Sequence, residues 1–323
     1  MTKKLIHFAV AAVLFSFEWV AAQASKPHRI AVIGAPEEPR FTEVMAGLKN
    51  GLTELGYEAP ALTVIALRIA RSDEKITTSR LQELARQPVS ALFLIGSRLV
   101  KPARAVMAET PMVFITPGDP VASGIVQSLA RPGGNMTAMT FEYPELAGKR
   151  LEVLKELAPR VRRVLAIYDS RDPSPQQGII AARQAAQALG IRLTEREARG
   201  AEELRRGLDA LAEVDAYLSV PGGFPTGYNE EIIRSSNARK VPAIFNSQTR
   251  STMDALASYG ASDAQVAHDA ARLIDKIIKG ANAGELPVER PSKLELVINL
   301  KTAKQIGLAI PPNVLARADR VIR

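Results

Sequence analysis

One internal spacing constrains this chain more than any other feature. Ile33, Pro39, Leu55 and Gly56 recur at a constant offset as Ile167, Pro173, Leu189 and Gly190. Pro111, Val113 and Phe114 recur at nearly the same offset as Pro242, Ile244 and Phe245. A shared offset across a whole strand–helix unit implies two similar lobes built by duplication.

Each lobe reads as an alternation of buried strands and amphipathic helices. In the first half, apolar runs at 29–34 (RIAVIG), 62–67, 91–95 (ALFLI) and 112–116 (MVFIT) predict strands. Helical spacing predicts helices over 41–55, 74–86 and 99–108. After a helix at 144–157 the grammar restarts. Strands are expected at 161–168, 192–197, 216–220 and 243–245, and helices at 176–189, 201–212 and 228–239. Strands apolar on both faces, each followed by a helix, mean parallel sheets covered on both sides, so the fold class is α/β. The tail adds a short strand at 255–259, a strong helix at 263–279, an edge strand at 293–299 and a helical turn at 302–306. It is expected to return to the first lobe at about 249–258 and to cross again near 287–291. The boundaries implied are 25–123 with about 250–286 for one lobe, and about 124–249 with 287–323 for the other.

The N-terminus reads as a leader. Lys3 and Lys4 precede an apolar run over 5–17, followed by Ala22-Gln23-Ala24, a small-x-small cleavage site. This order describes a secretory signal peptide of residues 1–24 and a periplasmic destination. The run is short for a membrane span, and no cysteine follows it to carry a lipid.

Composition removes several chemistries. The chain has no cysteine, which excludes disulfides and thiolate metal sites. Once the leader is gone only His28 and His268 remain of the histidines, so a histidine triad or histidine-rich metal centre is not expected. No G-x-G-x-x-G follows a strand, and G-x-S-x-G and the P-loop are absent. The net charge of +8 comes from Lys and Arg scattered among Glu and Asp, without the basic, aromatic-interleaved runs that bind nucleic acid. No catalytic residue, metal or cofactor is assigned.

In open parallel sheets ligands gather outside the C-terminal strand ends, where helix N-termini offer unpaired N–H groups. The loops there are small and polar. They nominate Pro36, Glu37, Gly96, Ser97, Thr116, Asp119, Asp169, Ser170, Pro221, Gly222, Asn246 and Gln248 as ligand-binding positions. Ser97 reads equally as an N-cap and as a donor to a ligand carboxylate, and Asp119 as a turn cap before a ligand contact. The stretch 131–137 (RPGGNMT) reads as a tight crossing between the lobes with Asn135 and Thr137 facing the cleft.

Three stretches carry a resemblance. They are Asp119-Pro120-Val121, the run from Ser128 through Arg131-Pro132-Gly133-Gly134-Asn135 to Thr137, and Gly148-Lys149-Arg150-Leu151-Glu152. Together with Leu296 to Ala303, Ile310-Pro311-Pro312 and Leu315 to Asp319, they resemble ABC-transporter substrate-binding proteins of the group with tryptophan- and tyrosine-binding members. The resemblance implies a type I periplasmic-binding fold, two Rossmann-like lobes on a three-strand hinge, acting with a permease and an ATPase. Ala138 and the turn Val220-Pro221-Gly222-Gly223 depart from the group's pattern, which leaves the ligand open between amino acids and small organic acids. The expectation is a monomeric solute-capturing component of an importer that closes on its ligand. A sensor co-receptor and an exported α/β hydrolase are the alternatives.

Overall fold

The computed structural model describes residues 27–34, 39–69, 74–142, 145–171, 173–220, 224–247 and 252–323. The leader and the nominated Pro36, Glu37, Pro221, Gly222 and Gln248 lie outside these residues.

The first half supplies β1 (His28–Gly34), α1 (Pro39–Glu54), β2 (Leu62–Arg68), α2 (Glu74–Ala85), β3 (Ala91–Ile95), α3 (Val100–Val106), β4 (Met112–Pro117) and β5 (Met136–Glu142). The second half supplies α4 (Glu145–Leu157), β6 (Arg163–Tyr168), α5 (Pro173–Ala188), β7 (Arg192–Glu197), α6 (Ala201–Asp209), β8 (Ala216–Leu218), α7 (Asn229–Ala238), β9 (Ala243–Phe245) and β10 (Ala257–Gly260). The tail supplies α8 (Asp263–Ile278), β11 (Glu295–Asn299), α9 (Leu300–Ile306), α10 (Pro312–Leu315) and β12 (Arg320–Ile322). Two sheets result. One is parallel throughout, in the order β2-β1-β3-β4-β5; the other runs β12-β11-β10-β9-β8-β6-β7, with only the β10–β11 pair antiparallel.

The two-residue repeat of a strand sorts each apolar run between two cores. In β1, Ile30 and Val32 join a cluster with Val44, Leu48 and Leu52 of α1 and Val266, Leu273 and Ile274 of α8. Their neighbours Ala31 and Ile33 face the other way, onto Leu81 and Leu84 of α2 and Val100 of α3. The second lobe repeats the scheme. Val164 packs with Leu151 and Leu154 of α4, while Leu165 and Ile167 pack with Leu204 of α6 and Ile232 of α7. Gly56 and Gly190, the paired glycines of the offset, both take left-handed backbone just past their helices.

Helix α8 follows the second lobe in sequence but belongs to the first. It lies against α1 at very close range, because Gly47 and Gly51 present no side chain. A Cβ on Gly47 would fall on the backbone of Ala264, 2.7 Å from its carbonyl carbon, and one on Gly51 would fall 2.5 Å from the His268 carbonyl oxygen. A hydrogen bond fastens the far end of the pair, the Tyr57 Oη donating to Asp275 Oδ1 at 2.8 Å. Desolvation, aided by that bond, pushes the Tyr57 phenol up from 10.0 to about 12. The proton is therefore held more tightly in the folded chain. The stabilisation is complete below pH 10 and drains away as pH rises towards 12. Tyr57→Phe is expected to cost about 1 kcal/mol at neutral pH and to flatten the alkaline fall in stability, measured by urea titration between pH 8 and 12.

Several boundaries differ from the sequence expectation. The stretch 131–137 does not cross between lobes. Met136–Glu142 is the last strand of the first sheet, so that lobe continues to Glu142 rather than ending at 123. Its sequence, MTAMTFE, lacks a clean two-residue alternation and follows a Pro-Gly-Gly turn. Likewise β10 stays in the second sheet, and the return to the first lobe comes after Gly260 rather than before Ser258. The strand expected at an edge, β11, is internal, because the short C-terminal β12 pairs outside it.

Candidate functional site

The chain's passages between the sheets fix how the sheets face each other. It leaves the C-terminal end of β5 at Glu142 and begins α4 at Glu145. It leaves the C-terminal end of β10 at Gly260 and begins α8, in the first lobe, at Asp263. Three residues span at most about 10 Å. The third passage runs from Glu289, bridged to Met139 on the edge of the first sheet, to Glu295, paired with Gly260 in the second. The C-terminal strand ends of both sheets therefore converge on the same crossings, and the loops beyond them face one another.

On the first lobe's edge, β3 ends at Ile95, and Gly96, with a φ of 105°, is the N-cap of the short helical turn Ser97–Leu99. Ser97 is half-buried, and among the described residues its hydroxyl makes no hydrogen bond within the protein. The expected capping role is thus not the one it takes. Thr116 is buried at the end of β4, its hydroxyl directed to the Pro117 carbonyl at 3.1 Å. Asp119 is a turn cap: Oδ1 accepts from the Val121 and Ala122 amides at 2.7 and 3.2 Å. The Thr140 hydroxyl donates to the Gly118 carbonyl and holds this turn against β5.

On the second lobe's edge the loop after β6 carries Asp169 and Ser170. Asp169 is 6% exposed, and Arg171 occupies both of its oxygens, with N–H donors at 2.8 and 2.7 Å. The hydrogen bonds from the Arg171 guanidinium outweigh desolvation and hold the carboxyl below its usual range. Ser170 donates to Glu197 Oε2 at 2.7 Å. Both nominated side chains are thus committed within the lobe, and the group presented outward is the Arg171 guanidinium, 58% exposed. Arg171 was not singled out in the sequence; its adjacency to Asp169 in a post-strand loop was the available signal. Asn246 closes β9, half-buried, and among the described residues its side chain has no protein partner.

Asn135 and Thr137 do not join these loops. They stand at the N-terminal end of β5, the far end of the sheet from Thr116. The Asn135 amide donates to the carbonyls of Ala108 and Thr110, the latter at 2.6 Å. Thr137 is fully buried and donates to the carbonyls of Leu286 and Pro287 at 2.9 and 3.1 Å. Both tie β5 to neighbouring backbone, because a tight turn leaves carbonyls that short polar side chains can satisfy.

Among the described residues the edges offer neutral groups at strand ends, Ser97, Thr116 and Asn246, with exposed guanidinium groups on both lobes, Arg68 and Arg98 on the first and Arg171 and Arg199 on the second. Among the described residues no group of three or more His, Asp or Glu could hold a metal ion, and no helix is long and apolar enough to cross a membrane.

Comparison with known proteins gives the family and the fold. The ABC transporter substrate binding protein family matches residues 29–322. A tyrosine-binding protein from Clostridioides difficile (strain R20291) is 22% identical over 286 residues, 88% of this chain and 82% of the relative. A Streptococcus pneumonia domain solved in complex with L-Trp superposes with a TM-score of 0.80 at 21% identity, covering 92% of this chain and all of that one. A ligand-free, open substrate-binding protein with adhesive properties from Clostridium difficile superposes with a TM-score of 0.71 at 19% identity, covering 91% and 99%. The fold is that of the type I periplasmic-binding proteins, with two α/β lobes.

Proposed function

Because the chain belongs to the ABC transporter substrate-binding protein family, we propose that it is the exported solute-capturing component of an importer. It holds a small polar molecule, an amino acid or small organic acid, between the C-terminal edges of its lobes. The observation that carries this reading is the pair Ser97 and Asn246: one from each lobe, each half-buried at a strand end, and each with a side chain uncommitted to the protein among the described residues. A solute bonded to both stabilises the arrangement in which the edges approach, by as much as it prefers that arrangement over the open one. Arg171 supplies a cation for a solute carboxylate at the second lobe's rim. Relatives named for tyrosine and solved with tryptophan support an amino acid as the cargo. In this reading residues 1–24 direct export and are removed, and a permease and an ATPase receive the closed form.

A thermal-shift screen of the amino acids and small organic acids tests this. The one tryptophan, Trp19, lies in the leader, so the readout is a dye or circular dichroism. A true cargo at a hundredfold its Kd adds about 2.7 kcal/mol of stability, a rise of several degrees in midpoint. Ser97→Ala and Asn246→Ala are each expected to weaken binding about tenfold, the loss of one hydrogen bond to a charged ligand group, with the unliganded midpoint unchanged. If both variants bind like the parent, the cleft assignment is wrong.

A further inference from the structure

The side chains around the crossings are not distributed as ordinary surface. Arg150, on the second turn of α4, is fully buried, the largest such side chain among the described residues. A guanidinium keeps its charge in proteins, and burying it is costly without good hydrogen bonds. Its Nε donates to the Tyr259 carbonyl at 2.8 Å, immediately before Gly260. Its Nη2 lies 3.4 Å from where a Cβ on Gly260 would stand. The second passage is thereby held to the second lobe up to residue 259. On the other side, Ser262 is held by the first lobe: its hydroxyl accepts from the Gln265 amide at 3.2 Å as the N-cap of α8.

The third passage shows the mirror arrangement. Asp269 of α8 is 5% exposed. Its Oδ2 accepts from the Ser292 amide at 2.7 Å, while Gln265 steadies Oδ1 at 2.8 Å. The passage is thus held to the first lobe up to Ser292, and three residues later Glu295 is already in the ladder of the second sheet, opposite Gly260.

We infer that Arg150 and Asp269 are positioning residues that clamp the second and third crossings, Arg150 from the second lobe and Asp269 from the first, and so confine bending within those two crossings to Gly260 and Ala261 on one and Lys293 and Leu294 on the other. The inference deepens the closure reading proposed above and depends on it for its purpose. The clamps themselves are properties of the ligand-free chain and can be measured without any cargo.

The absence of cysteine makes the test direct. Spin labels at Lys101→Cys on α3 and Glu230→Cys on α7, both exposed, report the inter-lobe distance distribution of the full mature chain by pulsed electron resonance. Arg150→Met and Asp269→Ala are each expected to broaden that distribution about twofold, as when one restraint on a hinge is released, and the double variant to broaden it further. Asp269→Asn, which keeps an acceptor for the Ser292 amide, is expected to stay near the parent. Leu165→Ala, which loosens the second lobe's core away from the crossings, is expected to lower the melting midpoint without broadening. If Arg150→Met does not fold, Arg150→Lys takes its place, retaining the charge while displacing the donor. A parental width in the clamp variants, or equal broadening by Leu165→Ala, overturns the inference. Failure of the cargo screen with broadened clamp variants overturns only the transport reading.

Discussion

Gly260→Ala is expected to lower stability by about 3 kcal/mol, the upper part of the usual range for overpacking, and to abolish the ligand-induced thermal shift. Gly260 sits where β10 ends and the chain leaves for the first lobe. An added Cβ would overlap the Asn246 carbonyl oxygen and lie 3.0 Å from its carbonyl carbon. The obstructing atoms are backbone, so no rotamer change relieves the clash. Either β9 and β10 part, or Asn246 is displaced from the cleft edge. The first costs stability and the second costs binding, and the tight packing of Phe245 and Ala257 beside them makes both shifts expensive. Equilibrium unfolding in urea, with the same thermal screen, reads both effects. A change within about 0.5 kcal/mol, the ordinary range for a surface substitution, would falsify the close approach at this crossing.

Gly47→Val is expected to be more damaging still, by about 4 kcal/mol or more, in the class of severe core disruptions. The new Cβ would fall on Ala264, 2.8 Å from its Cα, and the second methyl of a β-branched side chain leaves no rotamer free of the facing helix. Helix α8 must then lift from α1, uncovering Val266, Leu273 and Ile274, all now fully buried. The expected signature is near-native circular dichroism with strong binding of a hydrophobic dye, because the strands of the first sheet do not depend on α8 for their ladders. Lys49→Ala, exposed on the same helix, is the matched control and is expected to leave stability within about 0.5 kcal/mol of the parent.

Much of the architecture was legible because it rests on periodicity. The runs 29–34, 91–95 and 112–116 are apolar on both faces, and they form the buried parallel strands expected of them. The repeated Pro-to-Gly spacing announced the second lobe. What was not legible depends on contacts between distant segments. Met136–Glu142 became a strand because Glu289 and β4 flank it, and nothing local says so. Arg320–Ile322 is too short to show alternation and exists by pairing with β11. The glycines at 47 and 51 had a local signal: each costs roughly 1 kcal/mol in a helix interior relative to Ala, a cost that only a closely packed partner offsets.

The candidate site was read more coarsely than the fold. Strand-end loops could be located from the topology rule alone, and Gly96, Ser97 and Asn246 fall on them. Whether a side chain is uncommitted is decided by partners elsewhere in the sequence. Asp169 and Ser170 resemble Ser97 and Asn246 as letters in a loop, yet Arg171 and Glu197 engage them. Asn135 and Thr137 look like polar residues at a hinge, but they answer carbonyls contributed by residues 108–110 and 286–287.

The placement of α8 also orders events in the life of the chain. A polypeptide emerging N-terminus first from a ribosome completes the five strands of its first sheet by Glu142. That sheet then waits with one face covered by α1 alone until Asp263–Ile278 appears, and the second sheet waits for Arg320–Ile322. The first lobe therefore gains its last packed helix only once residue 278 has been made, and the second sheet its last strand only at residue 322.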